Sequence, residues 1–306
     1  AGYVGLMIWH SGMSGSAPLD AAGKGRIKEL LANTSSSSIS ELPDMIATSS
    51  TIFSHWNLIL FALLLIAVPL FLYFIAKKTT PTQLNLPEYQ FNTESKDLIG
   101  AEKLDHSKIL AWFFGGLLLV VFCFKYGAAA LQLNFTLNAI NLLMLSLAVI
   151  FHSKFSSFFK ALEEAIKGTA GILIQFPLYF GIMGIMTATG MVTQISDFFV
   201  SVATETTLPI FTFMSAGLVN IFVPSGGGQW VIQGPIVLES ALKLGVPLPK
   251  AIMALAYGDQ ITNMLQPFWA LPLLGITKLK AREILPYTLL LMLVGSVIYI
   301  LGLLIF

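Results

Sequence analysis

The chain has 306 residues, 56% of them hydrophobic and 11% charged, with a net charge of +1 and a mean hydropathy of +0.80. An ordinary soluble domain carries roughly 25% charged residues, and a soluble protein of this size has too little interior to hide so much apolar side chain, so the solvent must be lipid. The near-zero charge excludes a basic field for nucleic acid, and the single cysteine, Cys123, excludes an internal disulfide and a thiolate zinc cluster. The composition is that of an all-α polytopic membrane protein.

The chain opens Ala1-Gly2-Tyr3 without a Met, and residues 2–9 read as the middle of a spanning segment, which predicts sequence continuing upstream. Segment 2–19 is interrupted by Trp9-His10-Ser11-Gly12-Met13-Ser14-Gly15-Ser16-Ala17-Pro18, small and polar residues followed by a proline, and reads as a broken helix. Residues 20–55 follow as a loop containing the low-complexity run Ser35 to Ser38. Residues 56–76 form a clean span, and 77–107, mixing Lys77, Lys78, Lys96 and Lys103 with Glu88, Glu94, Asp97, Glu102 and Asp105, form a solvated connector. Further clean spans are 109–128, 135–151 and 284–306. Segment 169–190 is apolar but carries Gly171, Pro177, Gly181 and Gly184, and 191–206 reads as a loop without Lys or Arg.

Segment 207–223 runs apolar into Pro224-Ser225-Gly226-Gly227-Gly228-Gln229, and apolar character resumes over 229–242. A helix over that second arm covers about 21 Å, short of a core of about 30 Å, so 206–242 is predicted to be a re-entrant hairpin. Its tip survives only inside protein or beside water; the alternative is a tight turn between two ordinary spans. Segment 249–276 is interrupted by Gly258-Asp259-Gln260, Thr262-Asn263 and Gln266-Pro267, and is predicted to be a second broken helix. By placement of Lys and Arg, Lys77/Lys78, Lys154/Lys160/Lys167 and Lys278/Lys280/Arg282 lie on the cytoplasmic side, with Lys24, Arg26 and Lys28 as outer exceptions.

Asp259 is the one ionisable residue expected at membrane depth, where such groups default to function. It either caps the half-helix that follows or belongs to a site with Gln260, Thr262, Asn263 and Gln266. At the hairpin, the glycines admit close backbone approach, and the helix start aims free N–H groups at one point, an anion site without Lys or Arg. Trp230 and Trp269 each follow a polar break and either wall a cavity or pack between helices. Gly12-Met13-Ser14-Gly15 also matches the short G-x-S-G pattern of an intramembrane serine protease. That chemistry needs a His within reach of Ser14, and His10 shares its face only if the stretch is helical. Two broken segments in corresponding places of two halves point to a transporter's midplane site.

The stretches Trp9 to Pro18, Val223-Pro-Ser-Gly-Gly-Gly-Gln-Trp230 with Gln233-Gly-Pro235, and Tyr257-Gly-Asp-Gln-Ile-Thr-Asn-Met-Leu-Gln-Pro267 resemble the bacterial short-chain fatty acid transporter family. The resemblance covers essentially the whole chain and implies an inverted-repeat transporter with re-entrant hairpin and broken helices. It makes 1–76 the remainder of the first repeat (broken helix 2–19, outer loop 20–55, span 56–76) and 77–107 a cytoplasmic linker. The second repeat is 108–306, with hairpin 206–242 and broken helix 249–276, and symmetry puts roughly 120 further residues upstream. The resemblance extends to the wider ion-transporter superfamily, whose Ser-Asn-Thr hairpin tip is replaced here by Pro224 to Gly228.

The function so implied is secondary active uptake of monocarboxylates such as butyrate or acetoacetate, coupled to H⁺ or Na⁺. The protein would be multi-pass in the bacterial inner membrane, without enzymatic activity or cofactor, and dimeric as family members often are. On this reading Ser225, Gly226, Gly227, Gly228 and Gln229 hold the carboxylate, with Asn263, Ser11 and Ser14 as further donors. Asp259 and Thr262 take the coupling H⁺ or Na⁺, and Trp230, Trp269 and His10 wall the cavity. The rival functions are a passive anion channel and the Ser14 protease.

Overall fold

In the computed structural model, which describes residues 2–31, 42–79, 99–270, 274 and 279–306, hydroxyl side chains ahead of apolar runs start the helices. A 3₁₀ turn, Gly2–Met7, leads to α1 (Ser16–Ala21), α2 (Arg26–Leu31), α3 (His55–Ala76), α4 (Glu102–Asp105), α5 (Lys108–Leu131) and α6 (Leu137–His152). Then come α7 (Phe155–Ala188), α8 (Met191–Ser201), α9 (Leu208–Phe222), α10 (Gly226–Leu244), α11 (Leu248–Thr262) and α12 (Ala281–Ile305). Ser54, Ser107 and Thr136 cap α3, α5 and α6 by accepting from the N–H of Asn57, Leu110 and Ala139 at 3.3–3.4 Å, satisfying donors that a helix start leaves free.

Helices α3, α5 and α12 are long and apolar enough to cross a membrane, and α6 joins the start of α7 as a pair bent by 116°. Their outward faces carry Leu65, Ile66, Ile109, Phe124 and Leu301 in the open. In water these would be a large apolar liability; in lipid they are the solvent-matched surface. The chain is therefore an all-α, multi-pass membrane protein, with no strand among the described residues.

Three expectations are corrected at this level. The segment bearing Lys154, Lys160 and Lys167 is not a loop before a span at 169: Lys160 and Lys167 lie on α7, a 34-residue helix that runs on through Gly171, Pro177, Gly181 and Gly184. A proline removes one intrahelical bond, which lipid-embedded helices tolerate where neighbours compensate. Residues 191–201 form α8 rather than a loop, because Ile195 packs against Met186, Val219 and Val223. Finally, α10 begins at Gly226, with the three glycines as its first turn; its 19 residues make an arm of about 28 Å rather than a short one. The bend between α9 and α10 is Val223-Pro224-Ser225 alone, and Gly245, at φ +72°, ends the second arm.

The centre of the molecule is α11, of which every residue from Ala251 to Ile261 is buried. It crosses α9 where Gly217 and Gly258 remove side-chain bulk: a methyl on Gly258 would sit 2.1 Å from the Phe213 carbonyl oxygen. Small residues at such crossings let backbones approach, which is how membrane helices gain packing without a hydrophobic drive. Apolar clusters lie on both sides of α11. One joins it to α1, α2, α9 and α10 through Ala17, Leu31, Trp230 and Leu255; the other joins it to α3 and α12 through Leu60, Leu64, Leu291 and Leu303.

Candidate functional site

The opening segment cannot close a regular helix through Gly12 and Gly15, and its backbone donors turn to the last turns of α11. Gln260 Oε1 accepts from the N–H groups of His10 and Ser11 at 3.0 and 2.9 Å and lies 3.1 Å from Ser11 Oγ. Gln260 Nε2 donates to the Tyr299 hydroxyl at 2.8 Å, which in turn donates to the Met7 carbonyl at 2.7 Å. Tyr257 stacks on Tyr299 with ring centroids 4.3 Å apart and donates to Asn57 Oδ1 at 2.6 Å, while Asn57 Nδ2 donates to the carbonyls of Ser11 and Ile52. Gln260 and Tyr299 thus tie the 2–15 segment to α11 and α12, and Asn57 ties it to α3, the pairing that a low-dielectric interior demands of buried polar groups.

At the middle of the knot, His10 Nδ1 is hydrogen-bonded to Asp259 Oδ2, and both residues are fully buried. The other ring nitrogen, Nε2, accepts from the Ala17 N–H at 3.0 Å, which assigns the ring proton to Nδ1. Asp259 Oδ1 is buried and has no partner. A buried polar atom left without a partner asks for an explanation, often an ion or proton that joins it during function.

The first turn of α10 lies against the same histidine. A methyl on Gly226 would fall 2.6 Å from Trp9 Cη2 and 2.8 Å from His10 Cε1, so only glycine admits this contact. Ser225 Oγ accepts from the Gly228 N–H at 3.3 Å and the Ser225 carbonyl from the Gln229 N–H at 2.7 Å. The N–H groups of Gly226 and Gly227 have no intrahelical acceptor and supply the helix's positive end. Trp9 stacks on His10 at 4.6 Å and lies 6.3 Å from Trp269.

Of the anticipated site residues, Ser11, His10, Asp259, Gly226 and Trp269 are gathered in this region, with Ser225, Gly227 and Gly228 half-buried along the α10 start. Gln229 points elsewhere: its Nε2 donates to the Ala216 carbonyl and Gln233 Oε1 between α9 and α10. Trp230 is buried in the core with its indole N–H donated to Asp20 Oδ2 at 2.9 Å. Ser14 is exposed and donates to the Trp9 carbonyl at 3.0 Å, while both ring nitrogens of His10 are taken, so no Ser14–His10 dyad forms. Asp259 lies within α11 and caps nothing; the helix ends at Thr262, inside the expected interruption 258–267, and is followed by the 3₁₀ turns Asn263–Leu265 and Pro267–Ala270.

Asp259 and Thr262 do not meet at one point. The carboxylate faces His10, whereas Thr262 Oγ1 accepts from Asn220 Nδ2 at 2.9 Å and lies 3.4 Å from the Asp259 carbonyl. Asn220 was missed by the sequence reading. Its Nδ2 also donates to the Asp259 carbonyl and to Asn263 Oδ1, each at 2.7 Å, and its carbonyl accepts from Gln266 Nε2 at 2.8 Å. Trp269 Nε1 completes the group through Asn263 Oδ1 and Gln266 Oε1. The signal for Asn220 was there: a lone amide in the apolar run 207–223 needs a buried partner.

The family model described as "Short chain fatty acid transporter" matches residues 1–306. A protein of Escherichia coli strain K12 named as a candidate short-chain fatty acid transporter is 36% identical over 310 aligned positions, which cover 99% of this chain and 68% of that protein. One of the same name from Haemophilus influenzae strain Rd is 37% identical, over 98% of this chain and 67% of its own. No solved structure matches the chain.

Proposed function

The chain belongs to the short-chain fatty acid transporter family, and from that premise we propose that it takes up small monocarboxylates, butyrate and acetoacetate among them, by secondary active transport across the bacterial inner membrane. The observation that carries the site is the first turn of α10 set against the His10–Asp259 pair. The free amides of Gly226 and Gly227 and the positive helix end hold the carboxylate, with Ser225 beside them. Trp9 and Trp269 offer apolar ring surface to the short alkyl chain, and discrimination by chain length falls to that surface, at about 0.8 kcal/mol per buried methylene.

A cation, H⁺ or Na⁺, accompanies the anion and offsets its charge. Residues 1–76, as the remainder of the first repeat, and 108–306, as the second, act as inverted repeats, with α9–α10 as the hairpin and 249–276 as the broken helix; movement of the second repeat exposes the site to each side in turn. The expected result in proteoliposomes is accumulation of labelled butyrate above equilibrium when a pH or Na⁺ gradient is imposed, in excess of protein-free vesicles. Equilibration without accumulation would identify a passive anion channel, and absence of any movement would reject this substrate class.

A further inference from the structure

Besides the phenols Tyr257 and Tyr299, His10 and Asp259 are the ionisable side chains that the described residues bury completely. Among the described residues no compensating charge lies near them. Helix α9 contains no titratable residue, and on α10 Glu239 and Lys243 pair with each other at 2.7 Å near the far end. Asp20 on α1 is occupied by Arg26 and Trp230. On α11 the remaining groups are Lys250, about two and a half turns away near its start, and Tyr257; on α12, Arg282, Glu283 and Tyr287 sit at the first turns, and only Tyr299 reaches the knot, through Gln260. On α3, His55 and Tyr73 stand at the ends.

We propose that Asp259, positioned by His10, binds the coupling proton, so that the transported cation is H⁺ rather than Na⁺; the proposal rests on the transport reading above. The argument is one of available atoms. A proton added to His10 Nε2 would set an N–H against the Ala17 N–H that this nitrogen now accepts, and Nδ1 already carries the ring proton. The place left is Asp259 Oδ1, buried and without a partner. A Na⁺ ion needs several oxygens around it. Here Asp259 Oδ2 is held by His10 and Thr262 Oγ1 is turned to Asn220 Nδ2; Asn220 Oδ1 is also buried without a partner, and with Asp259 Oδ1 it makes two such oxygens, too few for that shell. A proton needs one.

The charge arithmetic then enforces coupling. Empty, the centre holds a neutral imidazole and a carboxylate, charge −1. A proton taken from water onto Oδ1 makes it neutral, and the arriving monocarboxylate returns it to −1, so empty and fully loaded states carry the same charge. The anion without the proton would place two carboxylates in one buried site, which like-charge repulsion and desolvation both oppose. Release on the other side breaks the same O–H bond and returns the proton to water. The cycle predicts one proton per monocarboxylate and no net charge movement.

The test uses the full-length protein in liposomes with an entrapped pH dye and labelled butyrate, read against protein-free vesicles. The expected result is one proton entering per butyrate, with uptake indifferent to Na⁺. Asp259→Asn, checked for folding by its thermal transition, is expected to lose both accumulation and the associated proton entry. Butyrate driven by Na⁺ with no proton entry overturns the proposal and leaves the transport reading standing. So does a folded Asp259→Asn protein that still accumulates butyrate with protons. If the variant does not fold, the wild-type proton-to-butyrate ratio decides alone. No butyrate movement under any gradient or in exchange overturns the transport reading itself, and the proposal with it.

Discussion

Neighbouring glycines of α10 have opposite environments. A methyl on Gly226 meets Trp9 and His10 inside 3.0 Å, whereas one on Gly227 meets only Ser16 atoms at 3.6 and 3.8 Å. Overpacking a closed site costs about 1–3 kcal/mol, while Ala in place of a helical Gly gains roughly 0.5–1 kcal/mol. Gly226→Ala is therefore expected to lower the thermal transition in detergent and Gly227→Ala to hold or raise it. Asn220→Ala strips the Asp259 carbonyl and Thr262 hydroxyl of a donor in a buried place, for a loss of about 1–3 kcal/mol. Trp230→Phe should destabilise through the same kind of loss at Asp20, whose carboxylate would keep Arg26 but lose the indole N–H. The Arg26 guanidinium is itself held above its ordinary range by hydrogen bonds to Asp20 and Glu29, which ties α1 to α2.

Among the elements, α11 decides most. It has no lipid face, and its length of 15 residues, about 22 Å, would not span alone. Its place is set by the crossing with α9, where the Gly258 backbone lies against the Phe213 carbonyl. Gly258→Ala is expected to push the two helices apart at a cost of at least about 3 kcal/mol, near the upper end for overpacking. Thermal unfolding and the fraction recovered as a single species measure this; an unchanged protein would mean that α9 and α11 do not pack as described. The same contact explains why Gly258-Asp259-Gln260 do not break the helix. Glycine there serves close approach, and the Asp259 and Gln260 side chains find partners on the 2–15 segment instead of on their own backbone. The break falls at Thr262 to Gln266, where the side chain of Gln266 turns to the Asn220 carbonyl.

For the whole molecule, lipid is the missing solvent. Cys123 is exposed on α5, close to Phe124 at 89% exposure, so it faces acyl chains rather than water. A lipid-soluble maleimide is expected to label it in membranes, and a charged, impermeant one is not; ready labelling by the latter would place this face of α5 in water. The basic sets at Lys77/Lys78 and Lys154/Lys160 predict a cytoplasmic location for those positions, checked by single-cysteine labelling from either side.

Composition and hydropathy were enough to establish a lipid-solvated, all-helical chain, because those properties sum over many residues and need no partner. The spans 56–76, 109–128, 135–151 and 284–306 were legible for the same reason, each close to α3, α5, α6 and α12. The glycine stretch, the histidine segment and Asp259 stood out because polar groups in an apolar run are expensive wherever they end up. Their pairing was not legible. Whether Asp259 meets Thr262 or a histidine 249 residues away, and whether Gln229 and Trp230 face a site or a core, depends on which helices cross. A side chain's partner across such a distance is a property of the packed backbone, and no local preference encodes it.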